Sequence, residues 1–173
     1  MSTKKNVMIK ILTSRIELDQ SLFADGEDGE ELEYEEEFSQ GIGEMPEPTE
    51  MWTEGRMVTA PSRVELVYEE SELSGMEGSV TSIGFDRAAP GMVSMMRSGV
   101  VNTALVFEEN KRHICVYQTP FSEFEVCTIA RRVENRLLTD GVIELDYLIE
   151  IHGAQAERCH MVISAHEVES VLE

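Results

Sequence analysis

The sequence predicts an all-β chain, either a sandwich or a single closed antiparallel barrel of about eight to ten strands. Three observations point there. Apolar and polar residues mix at period two through Val64-Glu65-Leu66-Val67-Tyr68-Glu69, the pattern of a half-buried strand. Turn residues recur about every 8–12 residues from Met51 onward, the rhythm of consecutive hairpins. No segment carries an apolar stripe at helical spacing.

The expected strands follow in order. The first covers 7–12 and a second lies near Trp52, followed by strands at 64–69, 79–86, 92–97 and 101–107. Further strands are expected at 112–118, 124–133, 142–151 and 158–165. Gly75 and Gly78, the Pro90 segment, Glu109-Asn110 and Thr119-Pro120-Phe121-Ser122 separate successive strands as turns. At 173 residues with 42% hydrophobic content, the chain suits one domain with one core.

Two hairpins fix which faces point inward. With Pro120-Phe121 as a two-residue loop, His113, Cys115, Tyr117, Phe124, Val126 and Thr128 share one face. That face carries no formal charge when His113 is neutral, so it is the inner one. Ile114, Val116, Glu123, Glu125 and Cys127 take the opposite face. Around His152-Gly153, a two-residue loop would set Arg158 and His160 beside Leu145 and Tyr147. A three-residue loop ending in Gly153 sets Cys159, Met161 and Ile163 there instead. Burying an unpaired arginine costs several kcal/mol, so the second arrangement is expected.

Charge is uneven. The formal net charge is −20, yet no Lys or Arg lies between Arg15 and Arg56, an interval holding 15 acidic residues. The remaining sequence is only mildly acidic. Dense like charge with Gly and Pro at 22–48 predicts a solvated, flexible insertion within the domain. Such a surface repels phosphate backbones, so nucleic acid and anionic membranes are not expected partners. No apolar run reaches the roughly 18 residues that span a bilayer, and the N-terminus lacks the pattern of a secretory leader. Three scattered cysteines, Cys115, Cys127 and Cys159, do not form a disulfide framework. A cytoplasmic protein is the expectation.

Several stretches resemble a known family. YEESELSGMEG at 68–78, VFEENKRH at 106–113, YQTPF at 117–121 and ELDY at 144–147 are similar to the YwiB-like family of small bacterial proteins. The similarity runs in order from Met51 to Ala165. It implies a calycin-like (lipocalin-like) β-barrel and a bacterial origin, and it implies no activity, since none is assigned to the family. The sequence departs from the family in its long acidic insertion. It also has Phe121 and Ser122 where Tyr and Gly are common.

The chemistry-bearing patterns mostly fail on spacing. Asp25, Glu27 and Glu36 mimic three calcium-loop positions, but Gly29 and Glu30 break the pattern between them. His113, Cys115, Cys127, Cys159 and His160 lack zinc-ligand spacing, and Cys115 and Cys127 fall on opposite faces. Glu31, Glu33 and Glu35 alternate as in tunnel triphosphatases, without the cations such sites need. No nucleophile elbow or phosphate loop occurs. No metal, cofactor or catalytic residue is therefore expected.

A ligand site inside the barrel is the remaining idea. Tyr68, Arg97, His113 and Tyr117 are assigned to the inner face or mouth, where they would orient a small apolar or amphipathic ligand. Internal pairing competes with that role: Arg97 can reach Glu70 or Glu77, and barrel hydroxyls commonly satisfy one another. An interaction scaffold, docking a basic protein on its acidic segment or pairing as a homodimer, is the alternative.

Overall fold

The structure is a computed structural model that describes residues 2–19, 22, 45–71, 77–152 and 154–168. It contains ten strands: β1 (Thr3–Glu17), β2 (Thr49–Thr59), β3 (Arg63–Glu69), β4 (Val80–Asp86) and β5 (Met92–Ser98). Then come β6 (Asn102–Glu108), β7 (Arg112–Gln118), β8 (Glu123–Arg136), β9 (Val142–Ile151) and β10 (Glu157–Glu167). No helix occurs among the described residues. Every strand pairs antiparallel with its sequence neighbours, and β1 also pairs with β10, so the meander closes into a barrel without edges. The barrel resolves the choice left open by the strand rhythm.

Alternation sends one residue in two inward. In β3, Val64, Leu66 and Tyr68 are buried while Glu65 and Val67 stay half-exposed. Matching residues from Ile9, Ile83, Phe107, Ile143, Leu145 and Ile163 complete a solid apolar interior. Phe107 and Tyr147 pack with ring centroids 4.5 Å apart at 48°, a tilted aromatic contact. At Gly55 no side chain fits. A Cβ there would lie 2.5 Å from Ile9 Cδ1 and 2.7 Å from the Val67 carbonyl oxygen.

The ladder gives both hairpins the expected inner faces. Gln118 pairs with Glu123 and Tyr117 with Phe124, the two-residue Pro120-Phe121 loop, and the Thr119 N–H donates to the Ser122 carbonyl at 2.9 Å. Cys159 faces Tyr147, Met161 faces Leu145 and Ile163 faces Ile143, so these residues share the inner face. The ladder begins at Ile149–Glu157, however, so the connection is longer than three residues. Gly153 itself lies outside the described residues. Arg158 points outward and is buried there, held by two hydrogen bonds to Asp146 of 3.0 and 2.7 Å.

The outer face holds a second, smaller core. Leu22, Cys127, Leu148 and Ala156 bury one another, with Leu18 and Ile129 against them. The Leu22 N–H donates to Glu150 Oε2 at 2.5 Å, and the Leu18 N–H to the Ala156 carbonyl at 2.8 Å. This corrects the start of the expected solvated insertion: Leu22, its first residue, is only 1% exposed. The rest of that insertion, apart from 45–48, lies outside the described residues. Burial of Leu22 also explains why Cys127, on the outward side of its strand, is fully enclosed.

One junction is thin. β6 and β7 share only two ladder pairs, Asn102–Gln118 and Thr103–Tyr117. Beyond them the Thr128 hydroxyl of β8 donates to the Val106 carbonyl at 2.8 Å, so β8 reaches β6 directly. The ladder between β6 and β7 is therefore confined to the barrel end where β1 finishes, called here the Arg15 end.

Candidate functional site at the Arg15 end of the barrel

The ladder places a continuous row of inward side chains across the Arg15 end. Tyr68 of β3 stands opposite Thr81 of β4, Thr81 opposite Arg97 of β5, and Arg97 opposite Thr103 of β6. Thr103 stands opposite Tyr117 of β7, and Tyr117 opposite Phe124 of β8. Direct partners in a sheet hold their Cβ atoms about 4.5–5.5 Å apart, so each member touches the next. Gly55 lies opposite Tyr68 at one end of the row and leaves the phenol ring its space.

Polar groups on one side of the row are tightly bonded. Arg97 Nε donates to Thr81 Oγ1 at 3.1 Å and its NH2 donates to Glu70 Oε1 at 3.1 Å. The Thr81 hydroxyl donates to the same Glu70 oxygen at 2.5 Å. Side-chain exposure is 2% for Glu70 and 13% for Arg97, so the ion pair is largely removed from water. Burial, reinforced by the Glu70 charge, pushes the Tyr68 phenol well above the ordinary tyrosine range. It stays a neutral hydroxyl.

Two hydroxyls beside this pair are left over. Thr103 Oγ1 and Ser79 Oγ are buried and meet hydrogen-bond geometry with no partner among the described residues. The Cys115 thiol is close enough to feel Thr103, yet its bond geometry is with the Val126 carbonyl at 3.7 Å. Ser79 sits against Gly99, two residues beyond Arg97. A Cβ on Gly99 would lie 2.7 Å from Ser79 Cα, and the positive φ of 139° also favours glycine there. Buried polar groups are almost always bonded, so two orphans within one stretch of the barrel call for an explanation.

The other side of the mouth is apolar. Tyr117, Ile149, Ile151, Met51 and Cys115 are partly buried against the core, and Phe124 is exposed. Tyr147 and Cys159, in one row with Arg15, face each other; burial raises both, and the thiol is pushed up to about 11. Arg15, opposite Cys159 at the rim, lies 3.7 Å from Glu157.

Of the four residues expected to share a site, Tyr68, Arg97 and Tyr117 come together in this row. His113 does not. It lies toward the opposite end of β7, where its Nε2 is 3.2 Å from Glu108 Oε1. Thr81, Thr103 and Ser79 were not anticipated. The strand bounds expected from the sequence, 92–97 and 101–107, left the β5–β6 register open; the ladder sets Arg97 opposite Thr103 across the three-residue connection at 99–101.

The profile of the family described as Domain of unknown function (DUF1934) matches residues 32–163. The chain belongs to that family. Among solved structures, the DUF1934 chain is similar to the crystal structure of the ywiB protein from Bacillus subtilis, with a TM-score of 0.66 and 20% identity. The match covers 95% of this chain and 93% of that one, and at this identity it establishes the shared barrel. Among curated proteins nothing matches. The YwiB-like assignment made on the sequence motifs thus stands.

Proposed function

We propose that this protein is a non-enzymatic, cytoplasmic barrel that holds a small amphipathic ligand at its Arg15-end mouth. The observation that carries the reading is the pair of unpartnered buried hydroxyls, Thr103 Oγ1 opposite Arg97 and Ser79 Oγ against Gly99. They supply hydrogen-bonding capacity that the described protein groups leave unused, while Tyr117, Phe124 and Ile151 offer an apolar wall. The apolar interior is filled further down, so the ligand belongs at the mouth rather than deep in the lumen. The buried, neutral Tyr68 phenol and Cys159 thiol support a binding role over nucleophilic chemistry. Three free cysteines suit a reducing compartment.

The test is native mass spectrometry of the chain purified from its own host. A retained small-molecule mass, lost in Thr103→Val, supports the reading. A bare mass throughout favours a second one, in which the filled barrel is a scaffold and the acid-rich segment faces a basic protein partner.

A further inference from the structure

We infer that the mouth selects ligands with an uncharged, hydrogen-bonding head, an alcohol or a primary amide, and rejects carboxylates of the same chain length. This rests on the ligand-binding reading above and adds the chemical class of the ligand.

An arginine inside a β-barrel invites a carboxylate, and here that invitation is already answered. Glu70 is the counter-ion: one of its oxygens accepts from both Arg97 NH2 and the Thr81 hydroxyl. The pair is neutral as a unit, and Glu70 is almost wholly removed from water. A second carboxylate brought to Arg97 would sit within a guanidinium's width of the first. Like charges in a weakly solvated site repel strongly, and one of the two would have to take up a proton or leave.

A neutral head meets no such penalty. The Thr103 and Ser79 hydroxyls can each donate one hydrogen bond and accept others. The protein bonds of Arg97 run through its Nε and NH2. Alcohol and amide heads both donate and accept, so either can answer a hydroxyl and the guanidinium together. The chain attached to the head then lies along Tyr117, Phe124 and Ile151.

Calorimetric titration of the full chain with 1-octanol, octanamide and octanoate, below their aggregation limits, decides this. Octanol and octanamide are expected to bind wild type at least about ten-fold more tightly than octanoate, a difference of about 1.4 kcal/mol. Glu70→Gln keeps the shape and removes the charge; octanoate should gain about ten-fold while octanol changes little. Octanoate binding wild type as tightly as octanol overturns the inference and leaves a ligand site standing. An unchanged octanoate-to-octanol ratio in Glu70→Gln overturns it as well. The absence of binding by all three compounds, to either protein, overturns the ligand site itself. The wild-type ratio alone suffices should Glu70→Gln fail to fold.

Discussion

Arg97 stands directly opposite Thr103 across the β5–β6 ladder, yet its guanidinium turns the other way, to Glu70 at 3.1 Å. The threonine hydroxyl beside it is left buried without a partner. Glu70 and Thr81 are thus satisfied through Arg97, whereas Thr103 on β6 and Ser79 just before β4 are not, and the first predictions follow from that difference.

Thr103→Val replaces a lone buried hydroxyl by a methyl of the same shape. Removing an unsatisfied polar group should leave stability unchanged or raise it by about 1 kcal/mol. Urea unfolding measures this. Thr81→Val removes a hydroxyl that bridges Glu70 and Arg97 and is expected to cost about 1–3 kcal/mol. Equal losses in the two variants would mean that Thr103 is bonded after all.

Glu70→Ala strands a buried guanidinium. Losing one partner of a buried pair costs about 3–5 kcal/mol, whereas replacing both by apolar residues is often near neutral. Chemical denaturation should therefore show Glu70→Leu/Arg97→Met to be more stable than Glu70→Ala. A double variant as unstable as the single one would show that the residues contribute mainly by packing.

On the outer face, Leu22→Ala is expected to cost about 2–5 kcal/mol, the range for truncating a buried leucine. It also removes cover from Cys127, so the thiol should react with a disulfide reagent faster than in wild type. A melting temperature unchanged by the substitution would return residue 22 to the solvated insertion.

Alkaline pH should unfold the barrel before its buried phenols, Tyr68 and Tyr147, titrate. Burial raises Tyr68 and Tyr147, and Cys159 is pushed up to about 11 from 9.0. Raised acids bind their protons more tightly when folded. The stability they contribute is complete below their unfolded pKa values and declines as pH rises through about 9 for the thiol and about 10 for the phenols. Phenolate absorbance should then show two of the four tyrosines appearing only as the chain unfolds. Smooth titration of all four in a folded chain would contradict the burial.

The fold was legible because its signals are local. Val64, Leu66 and Tyr68 announce their face by alternation, and Thr119–Ser122 fixes the β7–β8 register through turn chemistry. Excluding Arg158 from the interior also chose the correct face of β10, although the real connection is longer. Leu22 was missed because a single leucine at the edge of an acidic run carries no period, and its burial depends on Leu148 and Ala156 far along the chain. Within the site, Arg97 and Tyr68 were visible as polar residues at inward positions. Thr103 was not, since threonine is common in strands and only the ladder shows that its hydroxyl is stranded. His113 was assigned the correct face of β7 but too close to the others along the strand, because face alone says nothing about depth.

Amide-resolved NMR of the labelled chain titrated with octanamide tests the central claim most directly. Shifts concentrated at Thr81, Arg97, Thr103 and Tyr117, with His113 and Glu108 unmoved, are the predicted result. Saturable shifts confined to the His113 end, or none at concentrations well above those used for calorimetry, would contradict it.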